Sequence, residues 1–439
     1  MAATTIQNDN RAADDSNRAA QSMQRFLQWL EDNGALLHGI GVRTEGDRRI
    51  AYATRPMRAG ELVLFLPRRL LITSELAAAS PIGTWFGERK LELTKNAFLA
   101  IFLLWTAHKG GFFAPYVDIL PRDVSAMPVH FSEADLAWLE GTSALRDIRA
   151  EIERISAEYR ELARHFPPDF SFSSEEYAWA ASMVRSRAFV VSAGGKPDMA
   201  MVPLADMMDH APRHNVSWSG QSRLGFICTA AADAIAGGID LTDNYGPSKG
   251  NGKLFSMYGF TLEDNDDIEL FFPASDCKPD SPETEECAQA FNPAARYGHP
   301  RTRAMFAHLR RLHGAPAACA DAPVSRENER DVLETLHLVC CARLNGLRTG
   351  PAMHEARPAR LRDALRVRDG ELRVLHYLRA LAESGIDMLD GAPADEEFED
   401  YAEALAPLLE ETATASGSST CAAPCESRSD FRCAPALSG

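Results

Sequence analysis

Short β-rich runs lie on both sides of a long helical stretch, and this order limits the possible folds more than any other feature of the chain. Residues 38–73, "HGIGVRTEGDRRIAYATRPMRAGELVLFLPRRLLIT", alternate apolar runs of strand length with glycine and proline, as small antiparallel sheets do. Residues from about 90 to 183 carry helical periodicity with mixed surface charge, and Thr94 is placed to cap the first, apolar helix of this stretch. Strand patterns return between 200 and 246. We therefore predict an α+β fold in which a helical insertion interrupts a set of small sheets.

Helical patterns dominate the second part of the chain. The segment 275–286, "SDCKPDSPETEE", has the proline and acidic content of a linker. Ser325 is placed to cap the helix that follows, and a further helix is predicted over 370–385. The apolar stripe of the first of these helices consists of Leu333, Leu336, Cys340, Leu344 and Leu347. This part is expected to form an all-α C-terminal domain.

These patterns divide the chain into four parts. The two ends contain few large apolar residues, so they are predicted to be disordered. The predicted parts are a disordered leader (1–22), a first domain with its helical insertion (23–275), a helical domain (286–411) and a disordered tail (412–439).

Charge and composition limit the possible partners and compartments. The net charge of -16 disfavours nucleic acid and favours a cationic partner, such as a lysine-rich protein segment. The most apolar run, 97–107, is shorter than the roughly 20 residues of a membrane span, so no membrane association is predicted. The N-terminus lacks an apolar signal core, and the nine cysteines have no paired spacing. We expect an intracellular monomer in the cytoplasm or nucleus, with a plastid left open.

Residues 205–218, "ADMMDHAPRHNVSW", combine acidic residues and histidines at spacings that suggest a metal site. His210 and His214 stand four apart, and Asp206 precedes His210 by four, which places ligands on one face of a helix. Pro212 lies between the histidines and would disrupt that helix. A loop-based metal site stays open as an alternative, but we predict no metal and a solvent-facing His214.

Two glycine-rich stretches fail to match nucleotide-binding loops. Between Gly246 and Gly252 there are five residues instead of four, and Leu254 stands where a Walker-type loop has Ser or Thr. The stretch that begins at Gly39 follows a helical pattern and lacks the third glycine of a dinucleotide fingerprint. Neither stretch indicates phosphate binding.

Four motifs occur in a characteristic order: "GIGVRT" with "PMRAGELVLFLPRRLLIT", then "AASMVRSRAF", then "PLADMMDH", and last "NYGPSKGN" with "MYGF". In this order they resemble the SET domain proteins of the subfamily typified by the Rubisco large-subunit lysine methyltransferase. The similarity extends over roughly residues 25–400, because the C-terminal part resembles the helical substrate-binding domain of that family. It implies a SET-type fold and S-adenosylmethionine-dependent methyl transfer to a lysine of a protein substrate.

The resemblance also implies which residues bind the cofactor. Gly39, Ile40 and Gly41 are expected to contact S-adenosylmethionine through their backbone, since small side chains allow close approach. Arg187 is expected to bind the cofactor carboxylate, which the planar guanidinium suits. Without the motif, these residues would indicate an ordinary turn and an exposed arginine.

Asp209 and His210 match an Asn-His pair that holds the adenine and amino-acid end of the cofactor in the family. Here the asparagine is an aspartate, which loses two amide donors and adds a charge near the positive sulfonium. Substituting Asp209→Asn is therefore expected to improve cofactor affinity. For His210 a satisfied core histidine is an equally compatible interpretation, because the pair acts largely through backbone groups.

Tyr258 in "MYGF" matches the active-site tyrosine of the family, and Tyr245 in "NYGP" matches a second tyrosine that lines the methyl-transfer channel and the cofactor pocket. The resemblance therefore implies that both are catalytic and that Tyr245 also contacts cofactor. Without the motif, each would indicate a half-buried aromatic residue.

Three alternatives stay open from the sequence. A protein-histidine methyltransferase shares the fold and most motifs, although the phenol of Tyr258 favours a lysine target. A protein-binding module with weak catalysis is possible because of Asp209. A metal hydrolase is the most distant alternative.

Overall fold

A computed structural model describes residues 2–45, 48–193, 195–220, 224–231, 234–247, 249–273, 288–296, 298–347 and 361–391, with side chains from residue 17 onward. The predicted linker and the predicted tail lie outside the described residues.

Fifteen strands, most of them short, occur in the described part of the chain. They are β1 Leu36–Leu37, β2 Ile40–Glu45, β3 Arg48–Ala53, β4 Met57–Arg58, β5 Leu62–Pro67, β6 Ile72–Thr73, β7 Ala188–Ala193, β8 Lys196–Met201, β9 Asp209–His210, β10 Val216–Ser219, β11 Gly225–Ala230, β12 Ala234–Ile235, β13 Thr242–Asp243, β14 Leu270–Pro273 and β15 Ala288–Phe291.

Helices fill most of the interval between β6 and β7 and the region after β15. The α-helices of the described residues are α1 Ala2–Asp32, α2 Ser74–Ala79, α3 Pro81–Glu88, α4 Lys95–Lys109, α5 Ala114–Val117, α6 Glu133–Leu136, α7 Ser143–Ala163, α8 Ser174–Arg187, α9 Asn251–Tyr258, α10 Pro300–Leu312, α11 Arg326–Leu347 and α12 Arg362–Gly391. None of them is long and apolar enough to cross a membrane.

The strands form small sheets, as predicted. The largest has the order β1-β5-β11-β10 and is antiparallel, and a three-stranded sheet has the order β6-β8-β7. Strands β2 and β3 form an antiparallel hairpin, whereas β9 and β13 pair in parallel. Helices α2 to α8 separate β6 from β7. The predicted α+β class, with a helical insertion between sheet strands, is therefore confirmed, although the helices begin at Ser74 rather than near residue 90.

The chain separates into two compact units. The first contains Met1–Ser132, Arg146–Lys249 and Lys253–Phe260, and the second contains Glu133–Leu145, Gly250–Gly252 and the chain from Thr261 onward. We expected the first domain to extend to residue 275. The structure groups β14 with the second unit, because its buried Leu270 and Phe272 belong to the apolar core of that unit.

Helix α1 differs from the sequence prediction. We predicted a disordered leader over residues 1–22, but the helix is continuous from Ala2 to Asp32. Its last turns are anchored because Phe26 and Leu30 are fully buried in the first core. The N-terminal part of the helix is rich in Thr, Asn and Asp, which have low helix propensity, so nothing in the local sequence explains why the helix begins at Ala2.

Side-chain hydrogen bonds cap the first turns of α4 and α8. The Thr94 hydroxyl accepts a hydrogen bond from the Ala97 N–H at 3.1 Å, as predicted for the start of α4. Helix α8 begins with a capping box between Ser173 and Glu176. It ends at Arg187, so this residue lies at the junction between α8 and β7.

In the second unit, α11 bears out its sequence pattern. The Ser325 hydroxyl accepts a hydrogen bond from the Asn328 N–H at 3.1 Å. The stripe predicted from the sequence is buried throughout, at Leu333, Leu336, Cys340, Leu344 and Leu347. These side chains pack in one core with residues of α10 and α12. The short β14–β15 sheet adds strand structure to a domain predicted to be all-α.

Candidate active site

The segment with Asp209 and His210 folds back against the segment that leads to Tyr245. A short 3-10 turn, Ala205–Met207, precedes β9. The Ala211 N–H donates to the Asp243 carbonyl at 2.9 Å, and the Tyr245 N–H donates to His210 Nδ1 at 3.1 Å. Two motifs that the sequence separates are therefore hydrogen-bonded side by side.

These contacts also bear on the metal alternative. His210 Nδ1 already accepts a backbone hydrogen bond, and burial lowers the pKa of His210, which favours the neutral ring. His214 is exposed, as predicted for a loop residue. Among the described residues, no group of three His, Cys, Asp or Glu side chains is arranged to hold a metal ion.

An aromatic cluster surrounds the His210 ring. We call it the tyrosine cluster, and its members are His210, Tyr245, Tyr258 and Phe260. The ring centroids of Tyr245 and Tyr258 are 4.8 Å apart, and His210 lies 5.3 Å from Tyr245. Phe260 lies 6.0 Å from Tyr258 and 6.1 Å from His210. The structure thus brings three of the predicted site residues together.

The two tyrosine hydroxyls have different surroundings. Tyr245 donates to the Met208 carbonyl at 2.6 Å, which fixes its ring. Within the described part of the chain, the Tyr258 hydroxyl makes no hydrogen bond and is not among the buried, unsatisfied atoms. Burial raises the pKa of both phenols, so both are protonated at neutral pH. Tyr258 therefore presents a neutral hydroxyl that has capacity for an external partner.

Arg187 lies in a buried ion pair behind the turn. Its Nη1 donates to the Asp206 carbonyl at 2.9 Å and lies 3.3 Å from Asp206 Oδ2, which also accepts from the Tyr116 hydroxyl at 2.8 Å. Burial disfavours the charged guanidinium, but Asp206, Tyr116 and Tyr245 together outweigh this effect, so the pKa of Arg187 is raised. Arg187 Nε and Asp206 Oδ1 are buried and have no hydrogen-bond partner among the described residues.

Asp209 forms an ion pair with the β2–β3 hairpin. Arg48 Nη2 lies 2.6 Å from Asp209 Oδ2, although the two residues are 161 positions apart in the sequence. Burial raises the pKa of Asp209, and the adjacent guanidinium opposes that rise. The carboxylate is consequently held by a cation and is not free.

The glycine segment lies on the same hairpin. Gly39 has φ +90°, and its carbonyl accepts from the Thr54 N–H at 2.8 Å. A Cβ on Gly41 would lie 2.7 Å from the Thr54 side chain. Position 39 therefore favours glycine because of its positive φ, and position 41 because an added Cβ would crowd the Thr54 side chain. Ile40 is buried between them. The segment pairs with β3, whose first residue, Arg48, contacts Asp209.

Sequence reasoning missed several residues of this site. Asp206 attracted attention as a metal ligand, but it pairs with Arg187 and Tyr116. Phe260 was visible in the "MYGF" motif as a neighbour of Tyr258. Arg48 had no recognisable signal, since its partner is remote in the sequence.

With the fold and geometry in place, comparisons with known structures identify the fold. The crystal structure of the SET domain of LSMT bound to lysine and AdoHcy aligns with a TM-score of 0.67, covering 88% of this chain and 99% of that chain at 19% identity. The structure of Rubisco LSMT bound to AdoMet aligns with a TM-score of 0.66 over the same shares, also at 19% identity. The chain therefore has the SET-type fold of these proteins, and the resemblance predicted from the sequence is confirmed at the level of the fold.

By sequence, the chain is similar to actin-histidine N-methyltransferases. The proteins from Homo sapiens and Papio anubis are each 31% identical over 201 residues, and that from Gallus gallus is 30% identical over 199. The matched part covers 42% of this chain and 33% of the human relative, so the chain spans about a third of the length of the curated relatives it matches. No family model matches the chain.

Proposed function

We propose that this chain is an S-adenosylmethionine-dependent protein methyltransferase whose target is a lysine side chain. The observation that carries the proposal is the tyrosine cluster, in which Tyr258 offers a hydroxyl beside Tyr245 and the Asp209–His210 turn. The SET-type fold supports it, since the two solved relatives with this fold are described as bound to AdoHcy with lysine and to AdoMet.

The residues around the turn fit the cofactor. A buried donor, Arg187 Nε, has no partner among the described residues, and Asp206 Oδ1 is a similar acceptor. Arg187 is proposed to bind the carboxylate of the amino-acid end. Backbone groups at Asp209 and His210 are proposed to hold the adenine and amino-acid end, and the His210 ring is held in place by the hydrogen bond from the Tyr245 N–H.

The remaining cofactor contacts are proposed on the hairpin and on the cluster. Gly39, Ile40 and Gly41 would offer backbone groups at the start of β2. The Tyr245 ring would form a wall of the pocket, since its hydroxyl is anchored on Met208. When bound, S-adenosylmethionine supplies a methyl group on a positively charged sulfur.

A lysine substrate must lose a proton before it can act as a nucleophile, because an ammonium with a pKa of ~10.4 has no free electron pair. Burial in an aromatic channel disfavours the ammonium and lowers its pKa. The Tyr258 hydroxyl is proposed to orient the neutral amine, and the rings of the cluster to exclude water. No strong base is needed for this path, which agrees with two phenols that are protonated at neutral pH.

A histidine target is the second candidate, and the 31% identity to actin-histidine N-methyltransferases favours it. The two targets differ in their protonation. An imidazole with a pKa of ~6.5 is already mostly neutral at pH 7.5, whereas a lysine amine is not. The rate of transfer should therefore rise with pH up to about 9 for lysine and level off above about 7.5 for histidine.

The protein substrate is proposed to be rich in lysine near its target, because the net charge of -16 attracts cations. The second unit, with its helices α10 to α12, is proposed to bind that substrate. The cytoplasm and nucleus remain the proposed locations, with the protein acting as a monomer.

The test begins with calorimetric titration of the full chain with S-adenosylmethionine. Purified protein is then incubated with the methyl-labelled cofactor and a lysate, and the methylated residue is identified by mass spectrometry. Label on lysine supports the main proposal, and label on histidine supports the second candidate. No detectable cofactor binding would favour the protein-binding module, whereas tight binding without label would mean that the lysate lacks the substrate.

A further inference from the structure

Three ion pairs between an arginine and an aspartate involve the β2–β3 hairpin, the Asp209–His210 turn or Arg187. The β2–β3 hairpin supplies two of the arginines, and the last turn of α8 supplies the third. The pairs are Arg43 with Asp240, Arg48 with Asp209, and Arg187 with Asp206. Arg43 also pairs with Glu45, whereas Arg48 and Arg187 each pair with a single aspartate.

The Arg48–Asp209 pair differs from the Arg187–Asp206 pair in its exposure. The Asp206 side chain is fully buried, whereas the side chains of Arg48 and Asp209 are 67% and 40% exposed. Exposed ion pairs contribute little to folding. At this position the hairpin contacts the Asp209–His210 turn of the proposed cofactor site at 2.6 Å, so the effect of the pair is sought in the charge that it gives the site.

The chemistry of Asp209 suggests that role. A carboxylate without a partner at this position would attract the positive sulfur of the cofactor. This attraction is strongest in the bound reactant, because the sulfur loses its positive charge as the methyl group is transferred. Such an interaction stabilises the bound reactant more than the transition state, so it slows the reaction. An adjacent guanidinium cancels the field of the carboxylate.

We propose that Arg48 is a positioning residue of the cofactor site, which holds Asp209 and cancels its charge so that the pair presents a nearly neutral polar surface to the sulfonium. This inference rests on the proposed function. It also changes the expectation for Asp209→Asn, because that substitution leaves the Arg48 cation without its partner and no longer improves affinity.

The proposal can be tested by comparing the affinities for two ligands that differ in charge. S-adenosylmethionine carries a positive sulfur, whereas the sulfur of S-adenosylhomocysteine is neutral. The ratio of the two affinities measures the field at the sulfur. Arg48→Ala leaves a negative charge, so the ratio should rise roughly three- to tenfold in favour of the charged ligand. Asp209→Asn leaves a positive charge, so the ratio should fall by a similar factor.

The experiment is a double-mutant cycle measured by calorimetry with both ligands. The combined Arg48→Ala and Asp209→Asn variant should return the ratio to within about twofold of the wild type, because both charges are gone. Arg48→Lys keeps the positive charge and should retain most of the wild-type ratio. Raising the salt concentration should reduce the differences among the variants.

Arg160→Ala is the matched control. Arg160 also forms a 2.6 Å exposed ion pair, with Glu153, but on α7. Its loss should leave the ratio unchanged, and both arginine variants should keep the thermal midpoint within about 3 °C of the wild type.

Two results would overturn the inference: single variants that shift the ratio in the same direction, or a combined variant that keeps the shift of Arg48→Ala. A wild-type protein that binds neither ligand is a different outcome, because it refutes the proposed function itself.

Discussion

Replacing Tyr258 by phenylalanine removes one oxygen atom from the tyrosine cluster and tests the role proposed for that hydroxyl. The Tyr258 ring keeps its neighbours, since the contacts at 4.8 Å with Tyr245 and 6.0 Å with Phe260 involve ring atoms only. The hydroxyl makes no hydrogen bond within the described residues. The variant should therefore fold with its thermal midpoint within about 2 °C of the wild type.

The effect on methyl transfer should be large. A single positioned hydroxyl that holds the reacting group is worth about 10²–10³ in rate, or about 2.7–4 kcal/mol of barrier. The loss should appear in kcat, while the calorimetric affinity for S-adenosylmethionine stays within about threefold. The assay is transfer of labelled methyl groups to a substrate found in the lysate experiment, at saturating cofactor.

Tyr245→Phe is the informative comparison. Its hydroxyl donates to the Met208 carbonyl at 2.6 Å, so the substitution leaves that carbonyl without its donor. A loss of about 1–3 kcal/mol of unfolding free energy is expected in this variant. If Tyr258→Phe kept its full turnover, or lost turnover only in proportion to a loss of stability, the proposed role of the hydroxyl would be refuted.

The remaining predictions concern stability. Asp206→Ala removes the fully buried carboxylate that pairs with Arg187 and accepts from Tyr116, and it should cost about 3–5 kcal/mol in urea unfolding; a cost below about 1 kcal/mol would contradict this role of the carboxylate. Leu336→Ala removes a fully buried side chain of α11 and should cost about 2–5 kcal/mol, whereas exposed Leu338→Ala should change little. Burial raises the pKa of Glu371 from 4.5 to about 7, so the protonated acid is favoured in the folded state. That contribution is complete below pH 4.5 and is lost as the pH rises through about 7, for a total of roughly 3 kcal/mol. Urea unfolding between pH 5 and 8 should show the decline, and a Glu371→Gln variant with the same slope would rule it out.

The parts of the fold that depend on neighbouring residues were predictable. Thr94 and Ser325 cap α4 and α11 as expected, because a hydroxyl that precedes a helix bonds to an N–H within three residues. The buried stripe of α11 followed from helical spacing. The leader differs from its prediction. Residues 1–22 were predicted to be disordered from their composition, whereas the helix that is anchored by the buried Phe26 and Leu30 extends to Ala2.

The candidate site was only partly predictable. The order of the motifs pointed to His210, Tyr245 and Tyr258, and the structure brings these rings together. Their catalytic and binding roles stay predictions. The boundary near residue 275 differs from the division into compact units, because the burial of Leu270 and Phe272 depends on partners much later in the chain.

By itself, the sequence determined the class of fold, the helix caps and the apolar stripe, and it supplied the proposal for the residues of a SET-type site. It also identified Asp209 as the position that departs from the family pattern. Only the tertiary structure decided that Asp209 is paired with Arg48 and that Asp206 is paired with Arg187. It also decided that the Tyr245 hydroxyl is bonded to the Met208 carbonyl, whereas the Tyr258 hydroxyl makes no hydrogen bond within the described residues. The physical reason is distance along the chain: caps and periodicity are local, whereas ion pairs and hydrogen bonds between remote segments exist only once the chain has folded.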